Sequence, residues 1–67
     1  MGPMERIYLY RRPSDGKQVE FFSTLRLGKV TYLIREQNGQ DSVTTDKQAV
    51  EDFRDALHKD GYVAINS

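Results

Sequence analysis

Through its first 35 residues the chain alternates with period two, and both phases of the alternation are apolar. Ile7, Leu9, Val19, Phe21, Leu25, Val30, Tyr32 and Ile34 make one set. Tyr8, Tyr10, Phe22 and Leu33 make the other, interleaved with Arg12, Arg26 and Arg35. Apolar alternation bounded by turn residues predicts strands over 5–12, 18–27, 30–36 and 40–44. Pro13-Ser14-Asp15-Gly16 separates the first two, since proline presets a turn φ and glycine takes a positive one. Gly28-Lys29 marks a tight turn or a bulge between the second and third. Asn38-Gly39 predicts a type I′ hairpin, whose two central residues both need φ > 0.

Beyond residue 45 the period changes from two to 3.6. Val50, Phe53 and Leu57 stand at i, i+3 and i+7, flanked by Ala49 and Ala56, which predicts an amphipathic helix. Thr45 with Gln48 three residues on suits a capping box, and Asp46 and Lys59 suit the two ends of the helix dipole. Gly61 fits the position just past the helix, with Tyr62 following it to touch Leu57 in a Schellman stop. Val63 and Ile65 continue as an extended tail. The fold class expected is α+β: a four-stranded antiparallel meander with one C-terminal helix packed on one face.

The helix stripe needs an apolar partner. The larger set is the natural one, so Ile7, Leu9, Val19, Phe21, Leu25, Val30, Tyr32, Ile34 and Val43 are expected inside. That leaves Tyr8, Tyr10, Phe22 and Leu33 on the outer face, with Arg12, Arg26 and Arg35 among them. A sheet covered on one side needs only one apolar face. A second apolar face studded with arginines points to a surface that meets a partner.

Length and composition narrow the partner. A chain of 67 residues is one domain, which buries only about 60% of its unfolded surface. Residues 5–65 are expected to form it, and residues 1–4 to be a cloning scar with a disordered start. Without cysteine it has neither disulfides nor thiolate metal sites, which fits a cytoplasmic setting. Apolar runs are too short to span a membrane, and there is no signal-peptide core. Net charge is zero but polarised. Residues 1–30 hold six basic residues against three acidic, and residues 31–67 hold four against seven. That is far from the strongly basic balance of a dedicated nucleic-acid binder.

Catalysis is poorly provided for. His58 is the sole histidine, and no serine or threonine is placed for it to activate. Asp52, Asp55 and His58 roughly share a helix face, but an exposed helix surface lacks the dry, supported surroundings that a metal site needs. Gly16, Gly28 and Gly39 are isolated turn glycines, not a phosphate loop, and Glu51 and Asp52 point apart on the helix. No catalytic residue, metal, cofactor or small-molecule substrate is expected.

The order of strands, Asn-Gly hairpin, helix and closing Lys59-Asp60-Gly61-Tyr62 resembles the WGR domain over residues 17–65. That family is a small sheet with one helix, often ending in Lys-x-Gly-Tyr. Some members bind nucleic acid, and others mediate contacts within poly-ADP-ribose polymerases. The resemblance rests on order and spacing. Tyr32, Leu33 and Ile34 stand where the family's Trp-Gly-Arg signature would fall, so no functional residue carries across.

The expectation is a non-enzymatic binding module acting through Tyr8, Tyr10, Arg12, Phe22, Arg26, Leu33 and Arg35. A protein partner or a second copy of the chain is favoured, because aromatics and arginine are the residues enriched where proteins dock. The alternative is nucleic acid, with bases stacked on the aromatics and phosphates held by the arginines and the basic first hairpin.

Overall fold

The hydrophobic alternation builds one antiparallel sheet in the order β4-β3-β2-β1-β5. The computed structural model describes residues 4–65, so of the start expected over residues 1–4 all but Met4 lies outside the described residues. β1 (Glu5–Arg11), β2 (Gln18–Arg26), β3 (Lys29–Glu36) and β4 (Asp41–Thr44) form the meander. Helix α1 (Lys47–Lys59) then crosses one face of the sheet from the β4 edge. It delivers a fifth strand not expected from the sequence, β5 (Val63–Ala64), to the free edge of β1.

The turns decide which residues face the helix. Arg12 N–H donates to the Lys17 carbonyl at 2.9 Å, closing a four-residue loop that sets Tyr8 opposite Phe21 and Tyr10 opposite Val19. Tyr8 and Tyr10 therefore point inward, contrary to the expectation that Ile7 and Leu9 would. The register also shifts between Arg6 and Tyr8. The bulge at Ile7 sends Arg6 outward and Tyr8 inward, although a regular strand would put both on one face. Leu9 stands opposite Glu20 on the outer face.

Of the next two turns, the one before Lys29 is a tight turn, one of the two forms its sequence allows, while the one at Asn38-Gly39 departs from the type I′ expectation. At Asn38-Gly39 the loop has three residues. Gly39 N–H donates to the Glu36 carbonyl at 3.0 Å, and Glu36 N–H donates to the Gln40 carbonyl at 2.9 Å. Gly39 has a positive φ and Asn38 does not, which is the three-residue pattern with a bulge. A two-residue turn would have set Val43 opposite Ile34. The extra residue sets it opposite Leu33, so Val43 lies on the outer face, 67% exposed, and not in the core. The type I′ geometry occurs instead at Leu27-Gly28, with φ of 51° and 77°, between the paired Arg26 and Lys29.

The core comprises Tyr10, Val19, Phe21, Ile34, Val50, Leu57 and Tyr62, with Tyr8, Tyr32 and Phe53 packed against it. Phe21 is its hub, meeting Tyr8, Tyr10 and Phe53 edge to face at 5.6–5.8 Å. Ile7, Leu25 and Val30, expected inside, are exposed because the helix does not extend over their part of the sheet. The helix is capped by Asp46, not Thr45. The Asp46 carboxylate accepts from Gln48 N–H at 3.0 Å, and the Gln48 side chain donates forward to Asp52 and does not reach back. At the other end Tyr62 N–H donates to the Leu57 carbonyl at 2.9 Å and Gly61 N–H to the His58 carbonyl at 3.2 Å, the Schellman stop its spacing predicts. No helix among the described residues is long and apolar enough to cross a membrane.

Candidate interaction surface

With α1 occupying the inner face, the outer face is the open one. Cross-strand register aligns Val43 of β4, Leu33 of β3 and Phe22 of β2 in one row that ends at Arg6 of β1. The parallel row holds Asp41, Arg35, Glu20 and Leu9. Phe22 and Leu33 are half-buried and Val43 is exposed, so a strip of apolar side chains runs across three strands beside a charged one. A shallow hollow of about 160 Å³ opens on the strip, lined by Met4, Phe22, Thr24, Arg26, Thr31, Leu33 and Val43 among others. It is smaller than the cavities of about 300 Å³ and upward that hold small ligands.

The charges of this face largely satisfy one another. Arg6 pairs with Glu20 at 3.2 Å and Arg35 with Asp41 at 3.3 Å. The Arg35 guanidinium also lies 5.7 Å from the centre of the Phe22 ring, extending the apolar strip with its flat face. Arg26 stands apart near the end of the β2–β3 hairpin, exposed and with no ion pair to any described residue.

Of the seven residues expected to form the site, Phe22, Arg26, Leu33 and Arg35 share the outer face. The other three do not join them. Tyr10 is fully buried, and Tyr8 packs beneath the Arg54 guanidinium at 3.9 Å on the inner side. Arg12 acts as a latch between the first hairpin loop and the end of the helix. It donates to both carboxylate oxygens of Asp15, at 2.6 and 3.2 Å, and to Asp60 at 2.7 Å, and it lies 5.0 Å from the Tyr62 ring. The Arg12 hydrogen bonds, aided by the Lys17 backbone N–H, hold the Asp15 carboxyl down at about 2. The guanidinium is correspondingly pushed further above its ordinary value. Arg12 is thus committed to holding the fold.

Sequence reasoning missed Arg6, Leu9 and Val43 as outer-face residues. Loop length would have found Val43, and only the bulge explains Arg6. On the helix, His58 meets the Tyr10 ring edge-on at 5.4 Å, and no group of described residues is arranged to hold a metal ion.

Comparison with known proteins finds no family model, no curated protein and no solved structure that matches this chain.

Proposed function

We propose that this chain is a non-enzymatic binding module whose outer sheet face receives a protein partner. The observation that carries the reading is the open row of Phe22, Leu33 and Val43, on the face of the sheet opposite the one that packs against the helix. A strip of this kind excludes water well against another apolar surface, with the neighbouring ion pairs as its polar rim. The arginines weigh against phosphate as the ligand. Arg35 already holds Asp41, Arg6 holds Glu20, and Arg12 is spent on Asp15 and Asp60. A groove that tracks a nucleic-acid backbone needs cations free to release counterions. The cysteine-free composition supports a cytoplasmic setting.

The test is to identify proteins retained by the immobilised chain, purify one, and measure its affinity for the parent and for Phe22→Glu and Leu33→Glu. Both positions are half-buried on the open face, so circular dichroism should show the fold intact while binding is lost. Raising salt should change the parent's affinity little. Tight binding to single-stranded oligonucleotides that collapses with salt would replace this reading with the nucleic-acid one.

A further inference from the structure

Among the described residues, the end of the outer face nearest the β2–β3 turn carries two cations and no carboxylate. Arg26 and Lys29 stand directly opposite one another across that turn, both exposed. Strand alternation puts them on the same side of the sheet as Phe22 and Leu33. Neither has an ion pair to a described residue. Like charges placed directly opposite on paired strands repel. The carboxylates of this face, Glu20 and Asp41, lie level with Arg35, well down the strands from the turn, and Arg6 and Arg35 already hold them.

The apolar strip lies between the free cations and those ion pairs. Phe22 and Arg26 are separated by roughly 13 Å of strand, as are Leu33 and Lys29, and the long stems of the two cations can span part of it. The hollow on the strip, of about 160 Å³, is lined by Met4, Phe22, Leu33 and Val43, with Arg26 also in its wall. It has room for one apolar side chain. An apolar seat thus stands beside a cationic one on the turn side, and beside a balanced row of charges on the other.

We infer that the protein partner proposed above presents an acidic segment. Its apolar side chain enters the hollow, and a carboxylate two to four residues away along an extended chain sits between Arg26 and Lys29. The inference rests on the outer face being the binding face and adds the chemistry of what binds there. A carboxylate at this point converts a repulsive pair into two charge-assisted hydrogen bonds. The cations lie at the rim, so they act chiefly on the rate of encounter and the choice of partner, while the strip supplies the affinity. A phosphate backbone fits less well, because its charge repeats at every nucleotide. Continued from the cations across the strip, it would meet the carboxylates of Glu20 and Asp41. A second copy docking through the same face offers only carboxylates that are already held.

Short random peptides displayed on phage, selected on the immobilised chain and depleted on Phe22→Glu, test this. The peptides that remain should carry an apolar residue with aspartate or glutamate two to four positions away. One of them, synthesised, should bind a chain with Arg26→Glu and Lys29→Glu together roughly tenfold or more weakly than the parent. Exchanging its acidic residues for lysine should reverse that preference, which also shows that the doubly substituted chain is folded. Added salt should slow association a few-fold and leave dissociation nearly unchanged. Enriched peptides without an acidic bias overturn the inference, as does an acidic peptide that both chains bind equally. The outer-face reading would survive either result. Both readings fall if no peptide is retained, or if every retained peptide is held by Phe22→Glu as well. A single-stranded oligonucleotide bound more tightly than any peptide, and lost with the two substitutions, overturns the inference in favour of nucleic acid.

Discussion

The Nε–H of Arg54 donates to the hydroxyl of Tyr10 at 2.7 Å, across the junction of helix and sheet. Tyr10 has no exposed surface, and its hydroxyl needs a partner to be buried at all. Arg54 supplies it from the margin of the helix stripe, while its Nη1 donates to both carboxylate oxygens of Glu51, at 3.1 and 3.2 Å. The bond to Tyr10 pushes the guanidinium further above its ordinary value. This pairing suits β1 to the phase in which its tyrosines face the helix, since Ile7 and Leu9 offer Arg54 no acceptor.

Tyr10→Phe keeps the ring and removes only that acceptor. It should destabilise the fold by about 1–2 kcal/mol, the worth of a hydrogen bond to a charged group that is left partly buried. Urea unfolding of the single variants and of Tyr10→Phe combined with Arg54→Met would isolate the coupling. If Tyr10→Phe unfolds at the parent's midpoint, the Arg54 contact is not what anchors β1.

The four strands of the meander, the helix and its glycine stop were legible in the sequence because each rests on local periodicity or local backbone chemistry. Facing was not, because it depends on loop lengths that change by single residues. Val43 illustrates this. One residue more in the loop at Asn38 moves it from beside Ile34 to beside Leu33, and so from the inner to the outer face. Arg6 and Tyr8 share a parity in sequence, yet the bulge between them puts them on opposite faces. The candidate site was therefore half legible. Phe22, Leu33, Arg26 and Arg35 lie on strands whose phase the buried Phe21 and Ile34 also fix, whereas Tyr8 and Tyr10 lie on the strand whose phase the loop decides. Arg54 had a visible signal, standing three residues from Glu51 and adjacent to Phe53 on the apolar stripe.

The turn at Leu27 should yield to substitution in the direction opposite to most of the fold. Leu27→Asn exchanges a residue that resists positive φ for one that tolerates it, so the variant should gain about 0.5–1 kcal/mol. Thermal unfolding by circular dichroism is a sufficient readout. A lower melting temperature would mean that Leu27 makes a stabilising contact within its own chain.

Gly61 responds the other way. It has φ of 88° in the Schellman stop, and a β-carbon there would meet only the Arg12 side chain, at the ordinary contact distances of 3.9–4.0 Å. Space is available, so the cost of Gly61→Ala comes from the backbone alone and should be about 1 kcal/mol. Denaturant unfolding measures it. A neutral or stabilising result would mean that the helix end readily adopts another conformation, and that Tyr62 does not depend on this stop for its place in the core.

Acid should loosen the latch between the first hairpin and the helix. The Asp15 carboxyl titrates at about 2 in the fold against an ordinary value of 3.8, chiefly because the Arg12 guanidinium hydrogen-bonds to it. A carboxyl with a depressed folded value stabilises the fold while it is ionised. Its contribution is complete above the ordinary value and is lost as the pH falls from about 4 through about 2. Asp15→Asn lacks that contribution throughout. The variant should be less stable than the parent near neutral pH, and the gap between them should close across this acid window. The pair is partly solvated, so the gap should also narrow with added salt. Parallel urea titrations of parent and variant from about pH 5 down to about pH 2 read the gap at each step. A gap that stays constant over that range would show that Asp15 does not keep its charge through Arg12.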